Sequence, residues 1–382
     1  MDQRQDVRVV LCAPGFPASA DDPDKPFLLN HARAMSAAGM RVTVVCPMVN
    51  GLPLRYQLEG IEVIRVRYAP RKIQTLAATG SMYREARGLK RLLVLPMFLT
   101  MTAMMVRQLR QKNTVAYGHW WIPGGLVAVV AAAVTRRPSL VHLHGSDAAV
   151  VNTKGVQKLA RFVMRMAQIR LAVSDELAVW GESVSDRKFR VLSMPIDLES
   201  LPSPSPAPRD GLILGVGRLV PEKGFDVLIE AVSMIEYEDR PEITIVGVGP
   251  ERQRLESQAQ RLRVRLHLPG AVPPREMGDW YQRARIVVVP SRREGFGLVA
   301  AEAAAAGRAV VGTSVGGIPN LVRPGVSGLL VAPADVDALA AAIKEVDPDW
   351  GVEGPAHVAH LSPREHGVFL RQICEDLCKA GI

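Results

Sequence analysis

The sequence predicts an α/β protein of two Rossmann-like, doubly wound parallel-sheet domains that face each other across a cleft. Short apolar runs alternate with stretches of helical spacing along the whole chain, a pattern typical of parallel sheets covered by helices on both faces. A proline-rich tract at 201–208 interrupts the alternation and acts as a linker. With 382 residues, each half is long enough to bury its own core. We therefore predict a first domain at 1–199 and a second at 200–361.

In the first domain, short apolar runs indicate strands and longer amphipathic stretches indicate helices. The predicted strands lie at 7–13, 41–47, 61–66, 114–117, 139–143, 169–173 and 189–192. The predicted helices lie at 27–38, 124–134, 156–167 and 175–181, and Gly39 is a typical stop for the first of them.

In the second domain, predicted strands lie at 212–216, 243–246, 265–268, 286–289, 309–311 and 329–331. A helix with one apolar face follows the first of these strands, and an alanine-rich helix at 298–306 ends at Gly307. The last stretch, 362–380, also has helical spacing.

Two carboxylates follow the apolar strand at 286–289. Glu294 lies on the loop after the strand, and Glu302 lies about one turn into the next helix. Open α/β sheets bind ligands beyond the carboxyl ends of their strands, and carboxylates there can accept hydrogen bonds from a hydroxyl-rich ligand. The alternative is two glutamates on a solvated surface.

Two cations occupy the corresponding loop after the strand at 212–216. Arg218 and Lys223 lie between that strand and the next helix. Such a pair can neutralise a diphosphate, and arginine can bind it through two hydrogen bonds. The alternative is that both are ordinary surface charges.

Together these motifs resemble the signature of the retaining nucleotide-sugar glycosyltransferases of family four, which have the GT-B fold. The matching elements are Gly217-Arg218-(x)4-Lys223-Gly224, Glu294-(x)7-Glu302, the glycine motifs at 315–320 and 325–331, and His144-Gly-Ser-Asp147. The resemblance implies that Glu294 contacts the donor sugar and Glu302 the ribose. It also implies that Arg218 and Lys223 hold the diphosphate and that His144 lies beside the sugar. We expect the remaining donor-binding residues to be Gly15, Val272, Gly295, Phe296, Gly297 and Leu298.

The resemblance further implies a retaining hexosyltransferase that uses a nucleotide-diphosphate sugar, with a UDP-sugar as the first choice. The expected reaction needs no metal and no cofactor, because the two cations can stabilise the leaving diphosphate. The expected acceptor is a glycan, a glycolipid or a lipid-linked molecule, in polysaccharide or glycolipid biosynthesis. The terminal helix at 362–382 is expected to cross back onto the first, acceptor-side domain.

Two loops of the first domain are further candidates for binding. The loop at 13–26 contains Gly15, and Lys25 stands where the family commonly has a second glycine. The loop at 118–125 contains His119, Trp120 and Trp121, and its aromatic rings suit either an acceptor-sugar pocket or packing between domains.

The net charge of +9 is concentrated at 71–113, which contains nine basic residues and one acid. These charges flank an apolar run at 92–106, which at 15 residues is shorter than the ~20 needed to span a bilayer. The segment suits an interfacial helix on an anionic membrane, or a core helix with a basic face. Few aromatic residues and no base-reading motif argue against nucleic-acid binding.

The four cysteines form no metal or disulfide framework, and no secretory signal is expected at the start, so the sequence favours a cytoplasmic enzyme, on or near the inner face of the membrane. One alternative of the same fold is a nucleotide-sugar epimerase. A dinucleotide-dependent oxidoreductase is disfavoured, because no Gly-x-Gly-x-x-Gly follows the first strand of either domain. A non-catalytic lipid- or nucleic-acid-binding protein rests on charge alone.

Overall fold

A computed structural model describes residues 6–76, 88–151, 153–198, 201 and 203–380. The chain divides into two compact units. The first comprises Met1–Pro195 with Pro363–Ile382, and the second comprises Ile196–Ser362. The sequence placed this division at 199/200, a few residues later.

The first unit contains an eight-stranded sheet in the order β3-β4-β2-β1-β5-β6-β7-β8. All neighbouring strands are parallel except β3 and β4, which form an antiparallel hairpin at the edge. The strands are β1 (Arg8–Cys12), β2 (Arg41–Pro47), β3 (Arg55–Leu58), β4 (Ile61–Val66), β5 (Thr114–His119), β6 (Ser139–Leu143), β7 (Ile169–Ala172) and β8 (Arg190–Val191).

Helices cover both faces of this sheet. They are α1 (Pro26–Ala37), α2 (Val94–Leu109), α3 (Leu126–Thr135), α4 (Lys154–Met166), α5 (Asp175–Ser185) and the terminal helix, α12 (Pro363–Lys379). Helices α1 and α12 pack against one face, and α2 and α3 pack against the other. The contact between α1 and α12 is close, because a Cβ on Gly367 would lie 2.2 Å from the carbonyl oxygen of Ala34.

The second unit contains a six-stranded, fully parallel sheet in the order β11-β10-β9-β12-β13-β14. Its strands are β9 (Leu212–Val216), β10 (Ile243–Val246), β11 (Leu266–Gly270), β12 (Ala284–Val289), β13 (Ala309–Thr313) and β14 (Gly328–Val331). Its helices are α6 (Phe225–Ser233), α7 (Arg252–Leu262), α8 (Met277–Arg283), α9 (Leu298–Ala305), α10 (Val336–Glu345) and α11 (Gly354–Val358).

The proline-rich tract packs against the second unit and is not a free linker between the two units. The guanidinium of Arg308, itself buried, donates to the backbone oxygen of Ser205 at 2.6 Å and to its hydroxyl at 3.1 Å. The same side chain donates to the carbonyl oxygen of Tyr281 at 2.7 Å. A buried cation just before β13 therefore fixes the tract to the second unit, a contact that its composition did not indicate.

In the first unit, the helical stretch that contains the uncharged run at 92–106 is longer than that run. A continuous helical stretch, Gly88–Leu109, covers 22 residues and contains an 18-residue window with a mean hydropathy of 1.6, so by length and composition alone it is able to cross a membrane. Four of its side chains, Met97, Met101, Met105 and Leu109, are fully buried in the domain core. Four leucines point outward and are 62–85% exposed: Leu89, Leu92, Leu95 and Leu99. The helix thus packs into the core on one face and presents leucines on the other, while Arg84, Glu85 and Arg87 lie outside the described residues.

Candidate active site

The basic loop after β9 and the glutamate loop after β12 are joined side by side in the second unit. The guanidinium of Arg292 donates to both oxygens of Asp226, at 2.7 and 2.9 Å. The backbone N–H of Arg292 also donates to the carbonyl oxygen of Glu222 at 2.8 Å. A planar guanidinium bound through two parallel hydrogen bonds fixes orientation as well as distance. The two loops that the sequence singled out are therefore held at the same edge of the sheet.

This arrangement brings Lys223 and Glu294 into direct contact. The ammonium Nζ of Lys223 lies 2.6 Å from Oε2 of Glu294, and the two side chains are 23% and 16% exposed. Burial acts to raise the pKa of Glu294, but the charge and hydrogen bond of Lys223 outweigh it, helped by the Gly295 amide and the Ser291 hydroxyl. The pKa of Glu294 is consequently below its usual value. The carboxylate is ionised and its orientation is fixed before any ligand arrives.

Glycines of the motif at 315–320 pack directly against the glutamate loop. A Cβ on Gly316 would lie 2.3 Å from the carbonyl oxygen of Glu294, and one on Gly317 would lie 2.4 Å from that of Phe296. Gly316 also has a φ of +58°, a conformation that side chains other than glycine adopt rarely. The two glycines are therefore required because their backbone packs directly against the backbone of the loop that carries Glu294.

Glu302 lies on α9 and is bound by a residue that the sequence analysis did not name. The hydroxyl of Tyr281 donates to Oε2 of Glu302 at 2.7 Å, and Tyr281 is fully buried on α8. Burial raises the pKa of Glu302 to about 7. The negative charge of Asp197 also raises it, whereas the hydrogen bond from Tyr281 acts to lower it. The two predicted carboxylates thus differ: Glu294 is ionised near neutral pH, and Glu302 titrates there.

The other predicted donor-binding residues lie around these two carboxylates or near the neighbouring strand ends. Arg218 is exposed just after β9, and Val272 is partly buried on the loop between β11 and α8. Gly295, Phe296 and Gly297 are buried, and Leu298 begins α9. Arg218 makes no direct contact with Glu294 or Glu302 among the interactions of the described residues, so its assignment to the diphosphate remains a prediction.

In the first unit, His144 follows β6 and lies in a buried aromatic environment. The indole of Trp120 packs on its ring with centroids 4.3 Å apart, and the Trp120 Nε1–H donates to the Ser146 hydroxyl at 2.9 Å. The backbone N–H groups of His144 and Trp121 both donate to the carboxyl group of Asp147. Burial raises the pKa of Asp147 to about 8, although these two N–H bonds act to lower it. Trp121 is therefore a core residue, whereas Trp120 forms one wall around His144.

The loop after β1 has Lys25 at the position where a glycine was expected. Lys25 adopts φ 61° and ψ 45°, the left-handed region that glycine enters most easily. Its ammonium pairs with Asp24 and lies 3.5 Å from the position a Cβ of Gly15 would take. The loop keeps the backbone conformation of a glycine and adds a positive charge beside Gly15.

Three imidazoles of the first unit are close enough to hold a metal ion, although the sequence analysis named no metal ligands. His119, His142 and His144 each offer a nitrogen within 4.8 Å of the others, and all three are buried. Four of their six nitrogens are already used: Nδ1 of His119 hydrogen-bonds Nε2 of His144 at 2.8 Å, and the two nitrogens of His142 bind Tyr117 and Leu192 at 2.9 Å. A metal would have to displace these bonds. Hydrogen bonds therefore already hold these three rings, and we assign no ion to them.

The residues that sequence reasoning missed act by fixing the predicted ones. Arg292 precedes Glu294 in a visible Ser-Arg-Arg sequence, but its partner Asp226 is 66 positions away. Tyr281 lies on a short helix with no motif of its own, and only its contact with Glu302 reveals it. His119 was visible in the 118–125 loop, and its strand register opposite His142 was the signal that could have placed it beside His144.

Each half of the chain matches a glycosyltransferase family model. The first half matches a family model described as glycosyl transferase 4-like domain, over residues 25–180. The second half matches one described as glycosyl transferases group 1, over residues 210–347. The two models together match well over half of the chain.

Similar sequences carry glycosyltransferase names. An uncharacterized glycosyltransferase of Methanocaldococcus jannaschii is 39% identical over 37% of this chain, and the match spans only 36% of that protein. The putative teichuronic acid biosynthesis glycosyltransferase TuaC of Bacillus subtilis is 27% identical over 88% of both chains. A D-inositol 3-phosphate glycosyltransferase of Kribbella flavida is 34% identical over 64% of this chain and 66% of its own length.

Solved structures share the fold over nearly the whole chain. Sucrose-phosphate synthase from Thermosynechococcus elongatus has a TM-score of 0.78 at 22% identity, covering 98% of this chain and 100% of that one. HepE of Anabaena, solved with UDP-glucose, has a TM-score of 0.67 at 19% identity and covers 98% of this chain and 99% of its own. The chain therefore belongs to the family-four glycosyltransferases and has the GT-B fold.

Proposed function

We propose that this enzyme is a retaining transferase that moves a sugar from a nucleotide-diphosphate donor, a UDP-sugar first, to a glycan or lipid-linked acceptor. The observation that carries the proposal is the contact of 2.6 Å between Lys223 and Glu294. A diphosphate requires a cation and a sugar requires hydrogen-bond acceptors, and here both groups stand side by side at one sheet edge. The UDP-glucose in HepE and the name of TuaC support this choice of donor and of acceptor class.

The roles of the charged groups follow from their chemistry. Glu294 is ionised and accepts hydrogen bonds from donor-sugar hydroxyls, and Glu302 accepts them from the ribose. The ammonium of Lys223 has three N–H donors, so it can keep its bond to Glu294 and still donate to a phosphate oxygen. Arg218, which is exposed after β9, completes the charge that faces the diphosphate.

The reaction breaks the bond between the anomeric carbon and the phosphate oxygen as the acceptor oxygen attacks from the same side. The proton of the acceptor hydroxyl passes to the departing phosphate oxygen, so no enzyme carboxylate needs to form a covalent intermediate. Lys223 and Arg218 stabilise the negative charge that grows on the leaving diphosphate. This route retains the configuration of the sugar and needs no divalent metal.

A donor screen with matched variants tests the proposal. We expect the enzyme to hydrolyse or transfer from one of the UDP-, GDP- or ADP-sugars. Lys223→Ala and Arg218→Ala should each lower kcat by about 10²–10³-fold, because each removes charge that stabilises the transition state. Arg293→Ala is the control, since Arg293 is an exposed arginine nearby that pairs with Glu222. Full activity of both test variants, or equal loss in the control, would contradict the assignment.

We also propose that the first domain docks on an anionic membrane through the helical stretch Gly88–Leu109. Lys90 and Arg91 lie between the first two of its four outward leucines. Apolar side chains that enter the headgroup region together with basic residues give reversible, salt-sensitive binding. The enzyme would then work at the cytoplasmic face, where a lipid-linked acceptor is available.

Vesicle sedimentation distinguishes this from a soluble acceptor. The protein should pellet with anionic vesicles at low salt and remain in solution with neutral ones. Replacing Leu89, Leu92, Leu95 and Leu99 with Gln should abolish pelleting. Replacing Val134 and Val179, which are 67% and 68% exposed elsewhere in the same unit, should leave it intact. Indifference to both vesicle types would favour a small soluble acceptor, such as the one in the name of the Kribbella relative.

A further inference from the structure

Five of the eight histidines of the chain are buried together in the first unit. His119, His142 and His144 come from β5 and from β6 and its carboxyl end, and His31 and His366 come from α1 and α12. Burial lowers the pKa of each of them, so all five imidazoles are neutral near pH 7. A neutral imidazole has one N–H donor and one lone-pair acceptor. The positions of the protons can therefore be derived from the hydrogen-bond partners.

His142 is satisfied on its own. Its Nε2 lies 2.9 Å from the carbonyl oxygen of Leu192, which can only accept, so the proton of His142 is on Nε2. Its Nδ1 then accepts from the hydroxyl of Tyr117 at 2.9 Å. His142 has no free nitrogen for the other rings.

His366 and His31 set the direction of a second chain of hydrogen bonds. His366 donates to the backbone of Ser193, which commits its single proton. Its Nε2 must therefore accept from Nδ1 of His31, 2.8 Å away. This leaves Nε2 of His31 as a bare lone pair, buried and without a partner among the described residues.

The same reasoning extends to His119. Its Nε2 is also buried and has no partner in the described part of the chain, and its ring is nearly perpendicular to that of His31, with centroids 4.7 Å apart and planes at 85°. Two bare lone pairs on neighbouring buried rings would repel each other. A proton on Nε2 of His119 removes one of these two lone pairs and with it the repulsion. Nδ1 of His119 is then the acceptor, and the bond of 2.8 Å to His144 is donated by Nε2–H of His144.

We propose that His119, supported by His31 and His366, is a positioning residue that holds His144 with its proton on Nε2 and the lone pair of Nδ1 free for the ligand. The bond from His144 to His119 and the bond from His31 to His366 then both run toward α12, and the proton of His366 continues to Ser193. Trp120, packed on the ring of His144, fixes its plane. Of the four rings, His31 and His119 are completely buried, whereas His144 is 5% exposed and His366 is 4% exposed. This inference rests on the proposed function for the identity of the ligand.

The consequence is chemical selectivity at His144. A bare Nδ1 accepts a hydrogen bond from a hydroxyl, and it repels a phosphate oxygen, which is also an acceptor. We assign Nδ1 to a hydroxyl of the donor sugar. Donors that lack single hydroxyl groups test this, because the correct deoxy donor should lose about tenfold in kcat/KM with the native enzyme and little with His144→Phe. If instead an acceptor lacking a hydroxyl shows this pattern, the hydroxyl belongs to the acceptor and the donor assignment is overturned.

The arrangement itself can be tested without any substrate. The ¹⁵N–¹H spectra of the full chain, labelled at histidine and assigned by single His→Phe variants, report which ring nitrogen carries each proton. We expect Nε2–H for His144 and His119 and Nδ1–H for His31. Nδ1–H on His144 would overturn the proposal, whether or not the protein transfers sugar. Stoichiometric metal in the purified protein, with ring shifts that change on its removal, would also overturn it.

Two variants of His119 separate positioning from packing. The side-chain amide of His119→Asn reaches the place of Nδ1, and that of His119→Gln reaches the place of Nε2. Asn should keep the Nε2–H form of His144 and most of the kcat. Gln should give mixed tautomers and lower kcat about tenfold with little change in KM. Equal loss in both variants, with the His144 tautomer unchanged, would show that His119 only fills space.

Discussion

The raised pKa of Glu302 predicts that donor binding depends on pH near neutrality. The hydroxyls of a ribose donate hydrogen bonds best to an ionised carboxylate, whereas Glu302 has a pKa of about 7 because it is buried. Donor affinity should therefore fall as the pH drops below 7. With this pKa and binding only to the ionised form, the Kd at pH 6 is about tenfold higher than at pH 8.

The assay is calorimetric titration with an intact nucleotide sugar in the absence of acceptor, because the diphosphate of such a donor has no ionisation in this pH range. Binding at pH 6 should release close to one proton, seen as a dependence of the heat on the buffer. Glu302→Gln should bind weakly and show no pH dependence. Tyr281→Phe should move the dependence to higher pH, because the Tyr281 hydroxyl lowers the pKa of Glu302.

The same group affects stability with the opposite sign. Folding favours the neutral form of Glu302, so its contribution is full below pH 4.5 and is lost as the pH rises through about 7. The loss is on the order of 3 kcal/mol, and Glu302→Gln should remove it from the pH profile of unfolding. A flat Kd between pH 6 and pH 8 in the native enzyme, together with no effect of Glu302→Gln on either profile, would refute this reasoning.

Three other predictions follow from the site. Gly316→Ala should destabilise the protein by about 2 kcal/mol or more and lower donor affinity, because its Cβ would lie 2.3 Å from the carbonyl oxygen of Glu294. Gly325→Ala, also at positive φ but with nothing within 4 Å, should cost only about 1 kcal/mol by chemical unfolding, and equal losses would contradict the packing argument. Proton NMR of the product should show the anomeric configuration of the donor, and an inverted centre would exclude the same-side route. Activity should survive EDTA, and restoration by a divalent ion after its loss would show that Lys223 and Arg218 do not suffice.

Much of the fold was predictable because the apolar strands and their bounding residues are local signals. The strands at 41–47, 61–66, 139–143, 212–216 and 243–246 were predicted with the bounds that the structure shows. The strand Arg55–Leu58 was missed because it lies at the sheet edge and its residues are polar or partly exposed, so no apolar run marks it. The predicted strand at 189–192 shortens to Arg190–Val191, two exposed residues at the opposite edge.

The candidate donor site was predictable only in part, for a related reason. Lys223 and Glu294 lie in motifs with short spacing, and their loops follow strands that are adjacent in the sheet. Their direct contact could be anticipated from strand order but not from composition. Tyr281 contacts Glu302 directly, and Asp226 holds the glutamate loop through Arg292; both lie on helices whose sequences carry no distinguishing pattern. Such supporting contacts depend on how a helix packs on the sheet, which a one-dimensional pattern does not specify.

The tautomers of the five buried histidines cannot be predicted from each residue considered separately. Taken alone, a buried histidine is an ordinary core residue, and that description holds for each of the five. What distinguishes them is that the proton position on one ring depends on the next. The carbonyl acceptor at Ser193 fixes the proton of His366, and this in turn determines which nitrogen carries the proton in His31, His119 and His144. Because α12 supplies His366 from near the end of the chain, the tautomer of a residue beside β6 depends on a helix more than 200 positions away. His366→Phe should therefore leave Nδ1 of His31 without an acceptor and weaken the preference of His144 for Nε2–H. An unchanged His144 tautomer in that variant would show that the chain of bonds stops at His119.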